Sequence, residues 1–129
     1  QQKKTAALVA RLFRILEIPH AGVDIYYVSD ARMRELYKRS GGKDKVTNVL
    51  SFLQPKGFID PETDREFLGE IYLAPSHILR EAKELHISRE EWEKRLLVHG
   101  TLHLLGFDHE KESDAVKMEG KERAILAVC

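Results

Sequence analysis

Cysteine is nearly missing from this sequence, with a single one, Cys129, at its last position. One thiol cannot pair within the chain, which excludes a disulfide scaffold and favours a reducing compartment. Long apolar runs are missing too, being broken by charge or histidine well short of the ~18 residues that a membrane span needs. The first fifteen residues interleave Lys3, Lys4, Arg11 and Arg14 with apolar positions. A secretory signal would instead segregate the two kinds and add a cleavage site. A cytoplasmic protein without membrane contact is therefore expected. Charge of one sign is not in excess either, since 21 basic and 21 acidic residues cancel. No global field attracts a polyanion, so such a partner must be held by a local patch.

What is present is a soluble globular composition, 43% apolar and 33% charged over 129 residues. No repeat, low-complexity tract or long linker divides it, and a single domain over residues 1–129 is expected. The sequence begins at Gln1, not methionine, and that end is not read as a true start.

Periodicity places the elements. Leu8, Leu12 and Ile15/Leu16 recur at helical spacing and predict an amphipathic helix over about 3–17, with Pro19 after its end. Val23–Val28 alternates as a strand. Ser29 and Asp30 suit the N-cap of a helix over 31–39, which Gly41 and Gly42 stop. Thr47–Leu53 and Phe67–Ala74 read as two further strands, able to pair across the turn-rich loop between them. Pro75 and Ser76 open a helix with Ile78, Leu79, Ala82 and Leu85 on one face. Ser88 with Glu91 forms a capping box, followed by the i,i+4 pairs Glu90/Lys94 and Glu91/Arg95. From Leu96 to Leu105 that helix is apolar all round, which predicts burial in the middle of the domain, and Gly106 suits its end. A last helix over about 112–128 turns Met118 and Ile125 inward, with Gly120 as its weak point.

Inside the buried helix stand His99 and His103, four residues apart and so on one face, about a turn from each other. Trp92 and Leu96 continue the same stripe. Gly106 lets the chain reverse, so that His109 can return as a third nitrogen. Two neutral imidazoles buried without partners would cost on the order of 1–3 kcal/mol each. The clustering therefore favours a metal site of His99, His103 and His109 over ordinary core histidines. Three histidines leave the fourth tetrahedral position to water, as in catalytic sites. Zinc is the first expectation, one ion per chain, although Ni, Cu or Fe suit the same nitrogens. His20, His77 and His86 are isolated and read as surface or packing residues.

The spacing H-x3-H-x2-G-x2-H is that of metzincin peptidases, which place a glutamate directly after the first histidine as general base. Here that position is Gly100, which counts against peptide hydrolysis by their mechanism. Asp108, beside His109, reads either as an acceptor orienting a ligand imidazole or as a solvated turn residue. Glu70 faces either the site or solvent.

The segment HGTLHLLGFDH (99–109) strongly resembles the signature of the YbeY family of bacterial metal-dependent endoribonucleases. Gly42-Lys43-Asp44 with Thr47-Asn48-Val49-Leu50-Ser51-Phe52 resembles that family's G-K-D-x-x-T-(N/D)-V-L-S-F block, and Leu68-Gly69-Glu70-Ile71 its G-(D/E)-I strand. Order and spacing agree over about residues 23–128. The resemblance implies an α/β (α+β) fold, a small mixed sheet of three to four strands flanked by about five helices. The metal would lie on the buried helix and the loop after it. It further implies zinc on the three histidines, single-stranded ribosomal RNA as substrate, and a role in ribosomal RNA maturation and ribosome quality control. Contacts with ribosomal proteins are in keeping with that role, and DNA is not an expected partner. Family members open with a strand before the first helix, so a sheet strand is expected to precede this sequence.

The family commonly has an arginine immediately before the glycine of the G-K-D block, where this chain has Gly41. Arg39, two residues earlier, is the candidate for its catalytic role. Residues 32–45 hold Arg32, Arg34, Lys38, Arg39, Lys43 and Lys45 against Glu35 and Asp44. By themselves they read equally as a solvated helix face or as a phosphate-holding surface. The resemblance favours RNA, with Lys43 and Lys45 as candidate substrate-binding residues. The expectation is hydrolysis of an RNA phosphodiester. The alternatives are a peptidase or amidase with its base elsewhere, and a ribosome-associated factor whose metal staples the fold.

Overall fold

The computed structural model describes residues 2–18, 21–55, 57–106 and 112–128. Five helices and four strands follow in the order α1 (Gln2–Ile15), β1 (Gly22–Tyr27), α2 (Asp30–Arg39), β2 (Val49–Leu53), β3 (Ile59–Asp60), β4 (Arg65–Leu73), α3 (Pro75–Leu85), α4 (Arg89–Leu104) and α5 (Glu112–Val128). This is the α+β architecture with a small mixed sheet that the sequence led us to expect. Within the described residues no helix is long and apolar enough to cross a membrane.

The sheet runs β1-β4-β2, with β1 parallel and β2 antiparallel to the central β4. Strands β2 and β4 are the pair expected across the loop. The two-residue β3, which periodicity is too short to reveal, pairs with the start of β4 inside that loop. Opposite β1, the register slips by one residue, so that Gly22 faces Phe67 and Val23 faces Gly69. Such a bulge shifts the alternation of the strand. It lets Leu68 join Ile71 and Leu73 in the core, although Leu68 and Ile71 are of opposite parity.

Helix α4 is wrapped on both sides. Leu96, Leu97 and Leu104 pack with Ile71 and Leu73 of β4 and with Val9 and Phe13 of α1. Val98 and Leu102 pack with Leu12 of α1 and with Met118 and Ile125 of α5. Complete burial of a leucine such as Leu97 or Leu102 contributes about 1.5–3 kcal/mol. The all-apolar run therefore behaves as expected, and so do Met118 and Ile125. The stripe expected on α3 is half right. Ile78 and Ala82 are buried, but Leu79 and Leu85 are exposed, because only one edge of that helix meets α4.

Local chemistry sets the ends of α2 and α4. Ser29 caps α2 by accepting from the Arg32 backbone N–H, and Ser88 caps α4 by accepting from that of Glu91. The Glu91 carboxylate does not reach back to complete the box. It pairs with Lys94 at 3.1 Å and Arg95 at 3.2 Å, while Glu90 pairs with Arg89 and not with Lys94. Gly106 has φ +95°, a left-handed conformation natural to glycine, and its N–H returns to the His103 carbonyl. Gly120 does not interrupt α5.

Candidate metal centre

On the face of α4 that escapes complete burial, Trp92, Leu96, His99 and His103 form the expected stripe and line one cleft. Its other walls are the edge strand β2 with Thr47 and Asn48 before it, Tyr37 of α2, and Glu119, Glu122, Arg123 and Leu126 of α5. The cleft has a volume of about 1190 Å³, at the upper end of ligand-binding clefts.

Two clamps hold these walls. Glu81 Oε1 of α3 accepts from both Asn48 Nδ2 and Trp92 Nε1, each at 3.0 Å, joining the entry to β2 with the start of the histidine stripe. Ser51 Oγ donates to the Gly100 carbonyl at 3.2 Å, laying β2 directly on α4. A Cβ at Gly100 would meet Ser51 Oγ at 3.0 Å, tighter than a well-packed contact, with Val49 at an ordinary 3.5 Å. The absence of a side chain at position 100 thus lets the sheet edge approach the helix. Any side chain there would press on the Ser51 hydroxyl that joins β2 to α4.

The two imidazoles converge. His99 Nε2 and His103 Nε2 are 3.0 Å apart, with the rings edge to face at 79°. Two nitrogens sharing one tetrahedral zinc, at bonds of ~2.0–2.1 Å, stand roughly 3.3 Å apart. A few tenths of an ångström, within reach of small side-chain rotations, separate the pair from that spacing. The donor set fits a borderline-soft divalent cation. The opposite nitrogen of His99, Nδ1, lies 2.7 Å from Glu122 Oε1. His109 and Asp108 lie outside the described residues. Among the described residues no group of three or more potential ligands gathers, so the structure brings together two of the three expected histidines.

Sequence reasoning missed Glu122 and Glu81. A signal for Glu122 existed: Met118, Glu122 and Ile125 follow each other at steps of four and three, so a carboxylate interrupts the buried stripe of α5. A half-buried carboxylate needs a partner. Glu81 carries no comparable mark, because its partners come from two distant elements.

The remaining expectations divide. Glu70 belongs to the face of the sheet opposite α4: Ile71, beside it, approaches Gly100, and neighbours in a strand alternate. There Glu70 accepts from the Tyr72 hydroxyl at 3.1 Å, and Tyr72 stacks on Tyr26. Burial and then that hydrogen bond push the Tyr72 phenol up. Arg39 is exposed and pairs with Glu35 at 2.8 Å. It does not line the cleft, unlike Tyr37 of the same helix. The Arg34 hydrogen bond holds the Asp44 carboxyl below its usual range, with Lys38 adding a weaker attraction. Lys43 and Lys45 are exposed and outside the cleft lining. The cations that do line it are Arg95 and Arg123. His77 approaches Glu81 at 3.5 Å and His86 closes α3 in a left-handed conformation, both away from the pair; His20 lies outside the described residues.

The same arrangement of chain has known counterparts. The family model described as endoribonuclease YbeY matches residues 1–129. The protein named endoribonuclease YbeY of Chelativorans sp. (strain BNC1) is 48% identical over 106 residues, covering 82% of this chain and 64% of that protein. Its namesake in Francisella tularensis subsp. novicida (strain U112) is 38% identical over 112 residues, covering 85% and 68%. The chain thus spans about two thirds of the length of these curated relatives. The solution structure of TM1509 from Thermotoga maritima superposes with a TM-score of 0.66 at 27% identity, covering 97% of this chain and 80% of that one.

Proposed function

The chain belongs to the YbeY endoribonuclease family, and from that premise we propose that it is a metal-dependent endoribonuclease. Its substrate is single-stranded RNA, and its place is ribosomal RNA maturation and ribosome quality control in the cytoplasm. One zinc ion per chain is held by His99, His103 and His109. The observation that carries this reading is the 3.0 Å approach of two imidazole nitrogens on the wall of an open cleft.

Zinc, when bound, supplies a Lewis acid that polarises an oxygen and lowers the pKa of water. The chain's own groups do the rest. Arg95 and Arg123 offer guanidinium groups to phosphate oxygens entering the cleft. The Ser51 hydroxyl proton is committed to the Gly100 carbonyl, so Ser51 acts as a wall and not as a nucleophile. Lys43 and Lys45 lie outside the cleft, where they can hold the strand beyond the cleaved bond. The peptidase alternative loses support because position 100 is glycine and has no carboxylate to act as general base.

The test is elemental analysis of the purified protein together with cleavage of single-stranded RNA, with and without a chelator. Bound zinc and cleavage that the chelator abolishes and zinc restores are expected. A 2′,3′-cyclic phosphate on the products assigns attack to the ribose hydroxyl, and its absence throughout assigns it to water. Zinc-loaded protein that leaves RNA intact while cutting peptides overturns the substrate, and loss of fold on chelation favours a structural staple.

A further inference from the structure

Of the groups around the cleft, Glu122 has the most directed contact. Its Oε1 lies 2.7 Å from His99 Nδ1, with the two side chains 23% and 33% exposed. Glu122 meets the nitrogen opposite the one that faces His103, so it stands behind the ring, not beside the shared point of the two Nε2 atoms. That excludes it as a ligand of a cation shared by those nitrogens, and suits it to act on His99 from the far side. A carboxylate there accepts the Nδ1–H, selects one tautomer and leaves the Nε2 lone pair directed at His103.

Resting on the metal reading above, we propose that Glu122 is a positioning residue: it fixes the tautomer and rotation of the His99 ring and thereby couples the docking of α5 to metal affinity. Met118 and Ile125 bury the helix on either side of Glu122 and hold the carboxylate in place. Glu91 and Glu119, the other carboxylates of the cleft, have no such role. Glu91 is engaged by Lys94 and Arg95, and among the described residues the imidazole contact at this cleft is made by Glu122 and not by Glu119. The proposal makes the site a product of two helices, one supplying nitrogens and the other their orientation.

The test measures zinc affinity of full-length chains by competition with a chromophoric chelator, for wild type, Glu122→Ala, Glu122→Gln and Glu119→Ala. Glu122→Ala is expected to weaken zinc binding about 10–100-fold, the usual scale for removing the carboxylate behind a ligand histidine. Glu122→Gln, whose amide oxygen still accepts the Nδ1–H, recovers most of that loss, and Glu119→Ala stays within about twofold of wild type if contact, not general charge, is what matters. A long-range 1H–15N spectrum of the metal-free wild type reads the tautomer directly, with the His99 proton expected on Nδ1. The proposal fails if Glu122→Ala binds zinc as tightly as wild type, if Glu119→Ala loses as much, or if His99 carries its proton on Nε2. Should Glu122→Ala not fold, Glu122→Gln and the wild-type spectrum still decide. Absence of zinc binding by wild type itself overturns the metal reading and this proposal with it. Normal wild-type binding with an unaffected Glu122→Ala overturns this proposal alone.

Discussion

On α4, two imidazoles are confined by β2 on one side and α5 on the other, one of them bonded to Glu122 at 2.7 Å. On α2 and the turn after it, four cations share two carboxylates at the open surface: Arg32 and Arg39 with Glu35, Arg34 and Lys38 with Asp44. Both regions concentrate chemistry, but of different kinds. A directed contact in a half-buried cleft restricts the rings to one geometry. Exposed ion pairs contribute little to stability and exchange partners easily. The histidine region is therefore organised before any ligand arrives, whereas the basic region remains adaptable. Adaptability suits contact with a flexible polyanion and is ill suited to holding a reacting atom.

The contrast can be broken most sharply at His103. His103→Ala should abolish stoichiometric zinc and lower RNA cleavage by more than ~100-fold, beyond what loss of an outer partner causes, while circular dichroism stays native. Native-like cleavage by this variant would remove the distinction between the two regions. An intermediate effect tests the confinement itself. Gly100→Leu drives a branched side chain against Ser51 and Val49 and should destabilise the fold by about 1–3 kcal/mol in urea unfolding. A neutral result would mean that β2 rests only loosely on α4. The smallest effects belong to the surface. Lys43→Ala with Lys45→Ala should flatten the dependence of log RNA affinity on log salt by roughly 1.4, at ~0.7 per single-strand phosphate contact. Arg39→Ala should flatten that slope less, because RNA must first displace Glu35 from its guanidinium. Equal effects of the two changes would show that pairing with Glu35 does not withdraw Arg39 from RNA.

Much of this was legible in the chain because it is local. Ser29, Ser88 and Gly106 act within one turn of where they stand, and each ends a helix as its side chain or backbone freedom requires. The burial of α4 was legible from its all-apolar run. Leu79 and Leu85 misled because amphipathic spacing says which face a helix can bury, not how much of it a neighbour covers. Where Arg39 lies could not be read locally either: it pairs with Glu35 outside the cleft, whose lining cations, Arg95 and Arg123, come from two other helices.

What the sequence determined by itself was that His99 and His103 face the same way, since a step of four residues in an α-helix returns nearly to the same direction whatever surrounds it. Tertiary structure alone decided which partners complete the pair. Glu122 arrives from 23 residues away, β2 closes over Gly100 from 49 away, and Asn48 and Trp92 meet on Glu81. Contacts between distant elements depend on how the buried faces of α4, α5 and the sheet interlock. Core packing fixes that arrangement, and no local repeat in the chain encodes it.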